Sequence, residues 1–166
     1  TKLTKKDKGQ FFTPSSVAKF MAELSTNSKE NISILDPGAG IGILSVALIE
    51  KLANEKKVKK INLVCYETDK QVLPYLRLIL EETKKNLHKK VSFNYTIIEG
   101  DFVKSNANKL TVNLANYTNP DEELFDIIIS NPPYFKVNKQ DLQIAKFKDI
   151  VSGQPNMYFL FMAISA

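Results

Sequence analysis

Asn131-Pro132-Pro133-Tyr134 sets three groups side by side that can grip a flat molecule carrying an exocyclic amine. The Asn131 side chain offers an amide oxygen. Pro132 offers a backbone carbonyl with no proline N–H to compete for it. Tyr134 offers a ring. The two prolines stiffen the segment, since each fixes its own φ and restricts the residue before it. The same four residues also make an ordinary proline turn after a strand. What decides between the two readings is the company the tetrapeptide keeps.

Three other clusters carry chemistry. Asp36-Pro37-Gly38-Ala39-Gly40-Ile41-Gly42 is a glycine turn that opens a helix, so a ligand can approach its backbone closely. It does not meet the nicotinamide fingerprint, whose third glycine would stand where Ile43 is. A carboxylate at Asp36 would repel a pyrophosphate but suits the ammonium of an amino-acid ligand. Glu67, with Thr68 behind it, can accept hydrogen bonds from both hydroxyls of a ribose. Asp36, the turn (Gly38, Ala39, Gly40, Gly42) and Glu67 together fit a nucleoside with a cationic amino-acid arm, and S-adenosylmethionine is such a molecule. Asp101 and Phe102 could then hold its adenine by the amino group and the face.

The elements that must position these residues are legible from periodicity. Thr13 reads as the N-cap and Pro14 as the first residue of a helix whose apolar face is Val17, Phe20, Met21 and Leu24. Ile32–Asp36, Ile61–Tyr66, Val91–Ile98 and Phe125–Ser130 read as strands, the last of them buried. Ile43–Leu52 reads as a helix apolar nearly all round. A helix from Lys70 to Asn86 carries Pro74 near its start, and Asn156 caps a last helix, Met157–Ser165. Alternation of strand and helix predicts an α/β fold: a mainly parallel sheet with helices on both faces. In such a sheet ligands bind beyond the carboxyl ends of the strands. All four clusters follow strands, so they are expected at one edge. The groups Lys56/Lys57/Lys59/Lys60 and Lys84/Lys85/Lys89/Lys90 follow helices and read as solvated connectors on the opposite edge.

Composition sets the outer bounds. A chain of 166 residues, 43% hydrophobic and 25% charged, has the length for one domain with a real core. The formal net charge of +5 is compatible with a polyanionic partner. Arg77 is the lone arginine, however, and so lysine-rich a composition looks like the coding bias of an AT-rich genome. One cysteine, Cys65, sits in an apolar run and can make no intrachain disulfide, in keeping with a cytoplasmic setting. One histidine, His88, lies in a Lys-rich connector, which argues against a metal site or a Ser-His triad. No stretch is long enough to span a membrane. Residues 1–10 read as a flexible basic arm and 11–166 as a cofactor-binding catalytic domain. Lys5, Lys6, Lys8, Lys104, Lys136 and Lys139 are the lysines nearest the functional edge.

The series as a whole resembles the gamma-type amino-group DNA methyltransferases, above all the adenine-N6 enzymes of restriction–modification systems. The family's Phe-x-Thr-Pro element is matched by Gly9-Gln10-Phe11-Phe12-Thr13-Pro14, its Asp-Pro-x-x-Gly-x-Gly loop by Asp36–Gly42, and its ribose acid by Glu67. Asp101-Phe102 match its adenine-binding pair and Asn131–Tyr134 its catalytic tetrapeptide. Asn156-Met157-Tyr158-Phe159-Leu160-Phe161 match its Asn-Leu-Tyr-x-x-Phe helix start, with Met for Leu. The resemblance implies a Rossmann-like, S-adenosylmethionine-dependent methyltransferase fold, truncated after the fourth strand and the following helix, without the target-recognition domain. It assigns catalysis to Asn131, Pro132, Pro133 and Tyr134. It assigns the cofactor to Phe12, Thr13, Asp36, Gly38, Ala39, Gly40, Gly42, Glu67, Thr68, Asp101 and Phe102, with no metal. It implies double-stranded DNA as substrate and a specificity or restriction subunit or domain as a further partner, with no membrane. Enzymes that methylate a glutamine amide of release factors, or RNA amino groups, share the tetrapeptide, but the glutamine enzymes place a separate helical domain in front instead of the Phe-x-Thr-Pro element. A non-catalytic, cofactor-binding subunit is a third reading.

Overall fold

A computed structural model describes residues 13–87, 89–106, 124–134 and 156–165. Phe12, His88, the lysines at positions 5, 6 and 8, and Lys136 and Lys139 lie outside them. The described residues fall into two units. The larger runs up to Glu99 and includes Leu124–Asn131; the smaller holds 100–106, 132–134 and 156–165.

The larger unit is built on a sheet. Its elements are α1 (Ser15–Glu23), β1 (Asn31–Asp36), α2 (Ile43–Ala53), β2 (Lys60–Glu67), α3 (Leu73–Leu87), β3 (Ser92–Glu99) and β4 (Ile127–Ile128). Every pairing is parallel and the strand order is β3-β2-β1-β4. The chain therefore winds outward from β1 to β3, then returns to the far side of β1. A reversal of that kind opens a crevice at the carboxyl ends of the two strands flanking it, β1 and β4.

The core follows from the strand pattern. In β2, Ile61, Leu63, Cys65 and Glu67 are buried, alternating with half-buried Asn62, Val64 and Tyr66, as a period of two requires. Leu48, Ile49 and Leu52 of α2 are fully buried, and each such side chain contributes roughly 1.5–3 kcal/mol. The nearly all-round apolar character of α2 is thus explained by its place against both the sheet and α1. The lysines at 56, 57, 59 and 60 precede or begin β2, and those at 89 and 90 precede β3, so they stand at the amino ends of the strands. Lys59 pairs with Glu30 there, both exposed.

Three expectations need correction. The first helix begins at Ser15, with Pro14 as its N-cap and no side chain capping it, so Thr13 is not the cap. Of its expected apolar face only Met21 packs against the core, half-buried; Val17, Phe20 and Leu24 are exposed, while Ala18 and Ala22 are buried. The small side chains face α2, and close backbone approach accounts for the choice. Finally, the fourth strand is short and only partly buried, with Ile128 exposed and Ile129 buried. Just before it, the Asp126 carboxylate accepts the Ser33 N–H at 2.7 Å and the Ser33 hydroxyl at 2.9 Å, while the Asp126 N–H donates to the Ser33 carbonyl at 2.9 Å. A side chain thereby takes the donor that a longer strand would have given to backbone. Backbone pairing continues through the Ile129 N–H on the Leu35 carbonyl at 3.0 Å, which brings the chain to Asn131.

The smaller unit contains α4 (Phe102–Asn106) and α5 (Met157–Ser165). Asn156 does cap α5, its side-chain oxygen accepting the Phe159 N–H at 2.9 Å. Among the described residues no helix is long and apolar enough to cross a membrane.

Candidate active site

The loop after β1 is fastened at every turn. Gly40 and Gly42 adopt φ of 56° and 88°, in the left-handed region that favours glycine. A Cβ at Gly42 would also stand 2.9 Å from Leu76 Cδ1. The Ala39 N–H donates to the Tyr66 carbonyl at 3.0 Å, tying the loop to the end of β2. Asp36 is fully buried, and both its oxygens are engaged: Oδ1 accepts the Gly38 N–H at 3.3 Å and Oδ2 the Ser45 hydroxyl at 2.6 Å. Burial pushes its carboxyl up to about 6, against the pull of Ser45 and Gly38 and with a further push from Glu67.

Glu67 is the second arm of the loop. Its Oε2 accepts the Gly40 N–H at 2.8 Å, and its Oε1 accepts the N–H groups of Thr68 and Asp69, each at 2.7 Å. A carboxylate offers about four lone-pair sites, and three are used by the protein. One ribose hydroxyl fits the remaining capacity; accepting both requires the Gly40 N–H to let go. Asp36 and Glu67 are the two buried acids of the described residues, and no lysine or arginine is buried among them. Two carboxylates in one desolvated corner without a cation create a field that suits a positively charged ligand.

Asn131 completes this edge. It lies two residues past Ile129, beyond the carboxyl end of β4 and beside β1. Its side-chain N–H donates to the Thr13 hydroxyl oxygen at 3.0 Å. Thr13, expected at the cofactor, is thus placed against the Asn131 amide. One residue earlier, the Ser130 hydroxyl oxygen is buried with no partner among the described residues, the kind of orphan that a ligand or water satisfies.

The smaller unit holds the remaining expected residues. Asp101 Oδ1 accepts the Lys104 N–H at 3.0 Å at the start of α4. Phe102 is buried and its ring packs on Phe161 of α5 at 5.4 Å between centroids. Pro132 is buried and Pro133 half-buried. The Tyr134 ring is exposed and stacks on Tyr158 of α5, 5.9 Å between centroids and 15° between planes. Offset stacking of this type is favourable and fixes ring orientation. Cys65 is a core residue whose thiol burial, with Asp36 and Glu67 nearby, pushes up to about 12, so no thiolate nucleophile is at hand.

Two of these contacts have only faint sequence signals. Ser45 is a lone hydroxyl in an apolar helix, one turn after the glycine loop, and its polarity marks it. Tyr158 carries the right residue type, but nothing in its spacing points to Tyr134.

The family described as N-6 DNA Methylase matches residues 1–165. The chain is 33% identical over 162 residues to the type II methyltransferase M.BsuBI of Bacillus subtilis, covering 97% of this chain and 31% of that protein. The chain therefore spans about a third of the length of that relative. A protein from Listeria monocytogenes described as a class I S-adenosylmethionine-dependent methyltransferase has a similar fold, with a TM-score of 0.60 at 20% identity, over 92% of this chain and 41% of that one. A protein from Vibrio vulnificus described as a modification subunit of a type I restriction enzyme gives 0.62 at 22% identity, over 95% and 30%. The parallel α/β sheet expected from strand and helix alternation and the methyltransferase fold implied by the resemblance are both borne out, and the chain belongs to the N-6 DNA methylase family.

Proposed function

We propose that this chain is the cofactor-binding and catalytic part of a DNA methyltransferase that uses S-adenosylmethionine to methylate the N6 amine of adenine, in a restriction–modification system. The observation that carries the reading is Asn131, held by Thr13 beside the glycine loop at the reversal of the sheet. Its double-stranded DNA substrate and a specificity or restriction subunit or domain are the partners this reading calls for, in the cytoplasm.

The donor set fits the cofactor. Glu67 would accept a ribose hydroxyl, Asp36 would offset the cationic arm through the loop it organises, and the start of α2, which no side chain caps, suits a carboxylate. Asp101 and Phe102 are assigned to its adenine, and Thr68, Gly38, Ala39, Gly40 and Gly42 to the rest, while the family resemblance alone adds Phe12, which lies outside the described residues. Bound there, S-adenosylmethionine supplies an electrophilic methyl on a sulfonium.

The chain's own residues then activate a poor nucleophile. The adenine amine delocalises its lone pair into the ring. Asn131 Oδ1 and the Pro132 carbonyl accept its two hydrogens, draw the nitrogen toward tetrahedral geometry and stabilise the positive charge that develops on it. The exposed Tyr134 ring stacks on the base, with Pro133 stiffening the segment. The base must leave the duplex to reach them, at a cost of a few kcal/mol. The test is Asn131→Ala in the full-length protein. Methyl transfer should fall by roughly a thousandfold while calorimetry shows cofactor affinity retained; transfer at the wild-type rate would remove Asn131 from catalysis.

A further inference from the structure

A ring steadies a flat base only if the ring is itself steady. A tyrosine turns about two side-chain bonds, and freezing them costs part of what stacking gains. Tyr134 is 62% exposed, so its surroundings leave it much of that freedom. The ring contact it does make therefore matters.

We propose that Tyr158 is a positioning residue for methyl transfer: it covers one face of Tyr134, fixes the plane of that ring, and leaves the opposite face to the extruded base. This assignment rests on the base-stacking reading of Tyr134. Both rings belong to the smaller unit. Their centroids are 5.9 Å apart and their planes 15° from parallel. A base slipped between them would need about 7 Å, twice a contact distance of about 3.5 Å. That face of Tyr134 is therefore closed to the base, and the high exposure of the residue leaves the other face open. Tyr158 is itself held in place. The Phe159 ring meets it edge-on, with centroids 6.0 Å apart and planes at 79°. Tyr158 stands in the first turn of α5, whose start is capped by Asn156. Further along the helix, Leu160 is fully buried and Phe161 packs on Phe102. The stack then runs from base to Tyr134 to Tyr158, and Tyr158 acts through Tyr134 without touching the base.

The test measures kcat at saturating DNA and cofactor for Tyr158→Leu, Tyr158→Met and Tyr158→Phe in the full-length protein, with Tyr134→Ala alongside. Loss of one aromatic pair should lower kcat by roughly 3- to 10-fold in the Leu and Met proteins. Tyr158→Phe keeps the ring and should keep the wild-type rate within about twofold. Adding Tyr158→Leu to Tyr134→Ala should cost nothing more, since the ring it steadies is gone. Wild-type kcat in the Leu protein overturns the assignment, and so does wild-type kcat in the Met protein, should the Leu protein not fold. An additive loss in the double variant also overturns it, because Tyr158 would then act without Tyr134. A loss in the Phe protein as large as in the Leu protein does the same, by putting the role on the hydroxyl. Wild-type transfer by Tyr134→Ala would instead overturn the base-stacking reading on which the assignment rests, so the two failures are distinct.

Discussion

Asp36 is the residue whose protonation should report the ligand. Its folded-state carboxyl lies near 6, above the ordinary 3.8, because burial disfavours its charge. The folded protein therefore holds a proton there that the unfolded chain has lost between about pH 4 and pH 6. Stability without ligand should fall as pH rises through that window and level off above it. A cation placed beside Asp36 and Glu67 relieves the penalty. Affinity for S-adenosylmethionine should rise roughly tenfold from pH 5 to pH 7 with release of a proton, measured by calorimetry in buffers of different ionisation enthalpy. Asp36→Asn should flatten the profile, and a pH-independent wild-type affinity would refute the role. Residue types alone pointed to Asp36, Glu67 and Asn131, because acids and amides after apolar runs are conspicuous. They did not show that Glu67 already holds three backbone N–H groups. Nor did they show Thr13 meeting Asn131, since a contact across 118 residues leaves no local pattern.

Among the elements, β4 is the one on which the proposed catalysis depends, because it delivers Asn131. It is short, and Asp126 compensates by bonding Ser33 on β1 and pairing with Lys29. Burial works to raise the Asp126 carboxyl, but Lys29 and the two Ser33 donors outweigh it and hold it below the ordinary carboxylate range. Its contribution is present above the unfolded value near 3.8 and is lost as pH falls below it. Asp126→Ala should cost about 1–3 kcal/mol in denaturant unfolding, as the Ser33 N–H loses its acceptor, and should speed hydrogen exchange at Ser33. Unchanged protection there would contradict the role given to this side chain. The sequence pattern located most elements to within a residue or two, including α5 and its Asn156 cap. It misjudged β4 because an apolar run reads as a full strand, whereas how much of it pairs is a tertiary effect. It misjudged the buried face of α1 for a related reason. Periodicity ranks Phe20 and Leu24 above alanine, yet close packing on α2 selects Ala18 and Ala22.

At the scale of the whole molecule, a parallel sheet in the order β3-β2-β1-β4 sets the glycine loop and Asn131 at the same reversal. This explains why residues 95 positions apart, from Asp36 to Asn131, can serve one reaction. The fold class was legible because alternating strands and helices leave few topologies open. The substrate is a different matter, since the same tetrapeptide serves planar amines and amides alike, and fold does not choose between them. The direct test is the destination of the methyl group. The full-length protein is incubated with isotopically labelled S-adenosylmethionine and duplex DNA, and the DNA is digested and analysed by mass spectrometry. The label should appear as N6-methyladenine and vanish with Asn131→Ala. Label in a protein glutamine, in RNA or on cytosine N4, with none on adenine N6, would contradict the account.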